Sequence, residues 1–242
     1  MKILIFDLWG DFGHFRIPYT PSSPLTFPVP PKTALYGIIG AILGYDKNEY
    51  LLKFNKEKWE FSISLNKPIK KTYIPENFIN TKEAKMFSRM PKNKSCRTQI
   101  NLEFLKSPSF RIYVYSKSDE FYRLESFLKE HKSVFTVTLG LSECIANFKY
   151  VGTYDFEEIK NNKDIVEIST IIPIKENIKI QFLSNDNKER KYLKIRLPLE
   201  MKEDRELIKI QDFVIEANGE SIFAQINNYI NLKNLNKNII LF

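Results

Sequence analysis

Residues Phe12 to Gly44 read FGHFRIPYTPSSPLTFPVPPKTALYGIIGAILG. Pro30 and Pro31 fit the entry and first turn of a helix, where a missing N–H costs nothing. Ala34 to Leu43 then predict a helix that stops at Gly44. Leu35, Ile38, Ile39 and Ile42 fall at i, i+3, i+4 and i+7 and form its buried stripe. Thr33, Gly37, Gly40 and Gly44 share another face. A glycine inside a helix costs about 1 kcal/mol relative to alanine, so this face is expected to lie against a second main chain. A strand of the same protein and a bound polymer are the two ways to supply one, and tight helix-on-sheet packing is the simpler. Lys32 is a cation at a helix N-terminus, where the dipole opposes it. A phosphate held between Lys32 and the first turn reconciles the two, as does a lysine that extends into water.

Upstream, Met1 to Leu8 reads as a central strand with Ile3, Ile5 and Phe6 toward a core. Gly10 and Gly13 release the chain into a loop bearing His14 and Arg16. Downstream, Asp46 to Asn55 predict a short helix, WEFSISL (Trp59 to Leu65) a period-two strand and FRIYVY (Phe110 to Tyr115) another. Asp119 to His131 predict a helix capped by Ser118 or Asp119, with Phe121, Leu124 and Leu128 on its buried face and Lys129, His131 and Lys132 suited to its last turn. Strands are expected at Val134 to Leu139 and at Cys144 to Val151. The class is α+β, and the order is the βαββαβ ferredoxin-like (RRM-like) arrangement, which many unrelated proteins share. No aromatic RNP motif is present, so any RNA contact has to come from loops.

From Ile165 the pattern turns to short strands: Ile165 to Ile174, Ile178 to Leu183, Tyr192 to Leu199, Leu207 to Ala217 and Ile222 to Ile226. A turn is expected at Asn185-Asp186-Asn187 and a hairpin at Asn218-Gly219. Two regions follow, a ferredoxin-like domain over residues 1–160 and a C-terminal β-rich section over 161–242.

The net charge of +8 is confined. Residues 66–117 hold 12 Lys and Arg against 3 Asp and Glu, while the segments on either side are close to neutral. The heart of this stretch has no sustained apolar periodicity and is too long for an ordinary connection. It reads as a projecting basic β-hairpin arm over about residues 68–108. Lys82, Lys85, Arg89, Lys92, Lys94 and Arg97 lie along it, with Met86 and Phe87 among them, so it has cations for phosphates and apolar side chains for bases. A solvated charged loop would have the same composition.

A hydrophobic fraction of 43% and an aromatic fraction of 14% exclude a disordered chain. MKILIFDLWG is broken by Asp7 and lacks a cleavage site, so it reads as a strand, and no apolar stretch approaches a membrane span. A soluble, cytoplasmic protein with no membrane partner is expected. Cys96, Cys144, His14 and His131 stand far apart without metal-ligand spacing, so no metal or other cofactor is expected.

The run HFRIPYTPSSPLTFPVPPKTALYGIIGAILG resembles the N-terminal signature of the Cas five family, the RAMP-superfamily CRISPR-associated subunit of type I Cascade complexes, and most resembles its type I-B branch. The matching residues are Phe15-Arg16, Tyr19-Thr20, Ser22-Ser23, Leu25-Thr26-Phe27, Pro30-Pro31 and Gly37 to Gly44. LGLSECIANF, Leu139 to Phe148, resembles a second family motif. Together they cover about the first two thirds of the chain. The resemblance implies a non-catalytic subunit, active in antiviral defence, that binds and caps the 5′ handle of crRNA. It implies contacts with the Cascade backbone subunit through the arm, with the large subunit, and through that subunit indirectly with target DNA. Arg16, Lys32 and Thr33 are then the expected phosphate contacts on the body, with His14 beside them. Lys82 to Gln99 is the matching arm segment, so Lys82, Lys85, Met86, Phe87, Arg89, Lys92, Lys94, Arg97 and Gln99 are its expected RNA contacts. The alternative is a metal-independent endoribonuclease that processes CRISPR repeat RNA, as one branch of the family does. It would use His14 as general base with Arg16, Tyr19 or Lys32 stabilising the phosphorane.

Overall fold

The computed structural model describes residues 1–20, 23–56, 58–81, 96–176, 178–182 and 189–242. The chain opens with β1 (Lys2–Gly10) and the two-residue β2 (Phe12–Gly13), followed by α1 (Lys32–Leu43) and α2 (Tyr50–Lys56). β3 (Glu60–Leu65), β4 (Lys71–Ile79), β5 (Arg97–Lys106) and β6 (Ser109–Tyr115) come next, then α3 (Glu120–Lys129) and β7 (Ala146–Asp155). β3, β6, β1 and β7 form one antiparallel sheet in that order, while β2, β5 and β4 form a second.

β1 is apolar on both faces because both are covered. Leu4, Phe6 and Leu8 share a core with Leu35, Ile38, Ile39 and Ile42 of α1 and with Phe121, Leu124 and Leu128 of α3. Burying the four aliphatic residues of α1 contributes about 1.5–3 kcal/mol each, which outweighs roughly 1 kcal/mol per internal glycine. On the opposite face Ile3, Ile5 and Tyr113 pack against Phe156, Ile230, Leu232 and Ile239. The last three come from β15 (Tyr229–Leu232) and β16 (Lys237–Ile239), which form a three-stranded sheet with β8 (Glu157–Ile159). RNA-binding sheets of the RRM type use that second face to stack bases. Here it is closed.

The remaining strands are β9 (Ile165–Ile168), β10 (Ile172–Pro173), β11 (Lys179–Gln181), β12 (Tyr192–Met201), β13 (Leu207–Glu216) and β14 (Ile222–Gln225). β12 packs on α1, and Ile171, Leu197, Phe213 and Ile215 join the same core as the helices. One apolar core therefore crosses position 160, and β8 pairs with β15 from beyond it.

Three expectations are corrected. Val134 to Leu139 is not a strand: Val134 and Phe135 donate their N–H groups to Ile42 O (3.1 Å) and Ala41 O (2.9 Å), carbonyls in the last turn of α1 that have no partner within the helix. The segment keeps only a bridge between Thr138 and Ile145. The short second helix spans Tyr50–Lys56 and does not begin at Asp46. Asn218-Gly219 does turn, with Gly219 at φ +89°, but β13 pairs with β12 and β10 while β14 pairs with β11 and β9. The buried Glu216 carboxylate takes the N–H groups of Asn218 (3.0 Å) and Glu220 (2.7 Å), so a side chain organises that turn in place of a ladder. The expected turn at 185–187 lies outside the described residues.

Candidate nucleic-acid interface

Most of the loop between β2 and α1 is fixed by one buried acid. Glu103 of β5 accepts the N–H of Thr26 (3.1 Å) and the ammonium of Lys71 (2.8 Å) on Oε2, and the Tyr73 hydroxyl (3.3 Å) on Oε1. Its main-chain carbonyl accepts His14 Nδ1 at 2.7 Å, and its N–H donates to Pro24 O at 3.0 Å. Thr26 Oγ1 in turn accepts the N–H of Phe15 at 2.9 Å. The loop is therefore tied to the base of the β4–β5 hairpin, whose register runs from Lys71↔Leu105 to Ile79↔Arg97.

Beside this loop the two motifs of the sequence meet. His14 donates its main-chain N–H to Leu139 O at 2.9 Å, and Gly140, at φ +96°, passes so close that a methyl group on it would sit 2.0 Å from His14 O. The contact forms one wall of a cleft of about 290 Å³ lined by Thr33, Ala34, Gly37 and Ala41 of α1, by Thr136, Thr138 and Gly140, and by Phe15, Tyr50 and Arg205. A methyl group on Gly37 would meet only Tyr50, at 4.0 Å, so this glycine faces open space. Pro31 is the N-cap of α1, no side chain among the described residues caps the helix, and no acid stands in its first turn, so the positive end of the dipole beside Thr33 is not neutralised locally. The cleft combines small side chains, hydroxyls, the helix dipole and one guanidinium, which suits close approach by a phosphate backbone.

The glycines of α1 do three different things, and none of them rests on a strand. Gly40 has Tyr50 packed against it, so that a methyl group there would lie 3.0 Å from Tyr50 Cβ. Gly44 is the left-handed C-cap at φ +85° under Val134, and Gly37 borders the cleft.

The expected site residues divide accordingly. Thr33 lines the cleft, and Arg16 is exposed on the loop above it, bridged to Thr26. His14 is 2% exposed, and its Nδ1 is committed to Glu103 O, so it packs the loop down and does not face a ligand. Lys32 donates to Phe242 O at 3.1 Å, and burial lowers its pKa while Glu60 and Glu200 oppose that shift. Its ammonium therefore points to the end of the described chain and not to a phosphate at the first turn. Arg97 and Gln99 are exposed on β5 at the outer end of the hairpin, and Arg97 is six residues and roughly 20 Å along the strand from Glu103. Lys82, Lys85, Met86, Phe87, Arg89, Lys92 and Lys94 lie outside the described residues.

Arg205, Thr136, Thr138 and Glu103 were not singled out by sequence. Arg205 enters the cleft from the tip of the β12–β13 hairpin, at φ +69° in a turn closed by Lys202 N–H on Glu206 O. Lys-Glu-Asp-Arg carries no glycine or asparagine to announce such a turn. Among the described residues no three of His, Cys, Asp and Glu gather as a metal site. Burial, reinforced by Glu143, pushes the Cys144 thiol up to about 11, far from a reactive thiolate.

Comparisons with known proteins bear on the fold and the family. No curated protein matches the chain. A crystal structure of a CRISPR protein from Archaeoglobus fulgidus superposes with a TM-score of 0.60 at 10% identity, covering 100% of this chain and 99% of that one. A chain of a CRISPR RNA-guided surveillance complex does so with a TM-score of 0.53 at 12% identity over 91% of each. At these identities the likeness is one of fold. The family model described as CRISPR-associated protein (Cas_Cas5) matches residues 3–201, and the chain is a member of that family.

Proposed function

We propose that this protein is a non-catalytic subunit of a type I CRISPR Cascade surveillance complex, of the type I-B branch, that holds the 5′ handle of crRNA. The observation that carries the reading is the cleft between α1 and Gly140, where the two family-like motifs converge on a surface of small residues, hydroxyls and the open end of a helix dipole. Closure of the opposite sheet face supports it, because RNA is left the loops and edges as its contact surface. The strand order β3-β6-β1-β7, with α1 after the first strand and α3 after the third, supports a ferredoxin-like reading of the central unit. In this reading Arg16, Thr33 and Arg205 meet the backbone of the RNA, and the basic segment beyond the described hairpin base continues the track. The same reading gives it contacts with the backbone and large subunits, and through the latter indirectly with target DNA.

Burial of the His14 imidazole favours holding over cutting, since a general base has to reach the ribose hydroxyl. The test is incubation of the purified chain with CRISPR repeat RNA in the presence of a chelator. A retarded complex with intact RNA is expected. A specific cut that disappears in His14→Ala would overturn the non-catalytic assignment.

A further inference from the structure

A second cleft lies on the other side of the same loop. It is larger, about 430 Å³, and is walled by Ile17, Phe27, Pro28, Leu193 and Ile195. Tyr19, 70% exposed, stands at its mouth. Lys194 and Arg196 of β12 border it, and both bind the Asp212 carboxylate of β13, at 3.0 Å and 2.8 Å. Two cations share one acid, so the mouth carries an excess positive charge. Lys71 also borders the cleft and is paired with Glu103.

We propose that this slot takes one nucleotide of a bound single strand, the base between the apolar walls and Tyr19, the phosphate on Lys194 and Arg196. The inference rests on the RNA-binding reading above but assigns a different surface. Three features select this occupant. The volume falls within the range of about 300–1,000 Å³ typical of small-ligand pockets. An exposed phenol beside apolar walls accepts any base by stacking, worth about 1–3 kcal/mol per base. The surplus charge sits at the rim, where a phosphate passes, and Tyr19 and Arg196 line the same cleft. Phe15 borders the first cleft while Ile17 and Tyr19 border the second, so the loop carrying Arg16 separates the two and a strand crossing it would enter both.

The test irradiates the full chain with a 4-thiouridine-substituted oligouridylate about ten nucleotides long, maps the cross-linked peptides, and measures affinity for the same RNA. Cross-links at Tyr19 or within Leu193 to Arg196 are expected. Tyr19→Ala with Arg196→Ala should weaken binding about tenfold or more, the loss of one stacked base and one phosphate contact. Asp212→Asn, which releases both cations, should bind more tightly, a gain that misfolding cannot produce. Cross-links confined to Thr33, Thr136 and Gly140, with wild-type affinity in the double variant, would overturn the slot and leave the first cleft standing. Loss of a protein partner by the double variant at unchanged RNA affinity would overturn it in favour of a protein contact. No binding and no cross-link anywhere would overturn the RNA reading itself.

Discussion

Gly140 and Gly37 face the same cleft for opposite reasons. Gly140 stands at φ +96° with no room for a methyl group against the His14 carbonyl, whereas Gly37 is an ordinary helical residue with open space before it. Gly140→Ala should therefore destabilise the chain by about 2 kcal/mol or more, combining left-handed strain with a main-chain clash. A urea melt checks this, and an unchanged midpoint would mean that the loop moves aside freely. Spacing placed three glycines of α1 on one face but could not say which would be filled, because Tyr50 and Val134 reach them from other elements. His14 and Lys32 illustrate the same limit. Their partners, Glu103 O and Phe242 O, are main-chain atoms far along the chain, and no local pattern announces them.

At the scale of elements, strands and helices with a clean period were legible: the stripe of α1, the Phe121, Leu124 and Leu128 face of α3, and the alternation of β3. What failed was pairing. The Val134 to Leu139 run has strand composition, yet its N–H groups close the end of α1, and the Asn218-Gly219 turn joins strands of different sheets. The β4–β5 pair is the described base of the expected arm, with its outer strand largely exposed. Neutralising Lys85, Arg89 and Lys92 together should weaken RNA binding and lower the slope of log affinity against log salt by about two to three, or 0.7–0.9 per phosphate contact. Titration at several salt concentrations measures it. An unchanged slope would remove the segment from the RNA contact surface.

Over the whole molecule, paired carboxylates set the response to acid. Burial raises the Asp7 carboxyl, but its bidentate hydrogen bonds from Arg111, at 2.8 and 2.9 Å, outweigh that and leave it lowered. Glu120 is likewise lowered, with burial outweighed by Tyr45 and Lys53, and so is Glu125, with burial outweighed chiefly by Lys129. A carboxylate whose folded pKa lies below its unfolded value contributes stability that is complete above the unfolded value and lost as pH falls through the folded one. The melting temperature should therefore be level above about pH 5 and fall below about pH 4, with a shallower acid limb in Asp7→Asn. An acid limb unaffected by that substitution would separate the pair from the effect.

The shared core across position 160 lets the β12–β13 tip deliver Arg205 to a cleft otherwise made by the first 140 residues of the chain. Filling that cleft is the most direct measurement. Gly37→Leu adds a side chain where there is space, and leucine raises helix propensity by about 0.5–1 kcal/mol over glycine. Its affinity for repeat-derived RNA should fall about tenfold or more, the equivalent of roughly 1.4 kcal/mol, while its melting temperature holds or rises. Wild-type affinity in a folded Gly37→Leu chain would show that the RNA does not lie in the cleft.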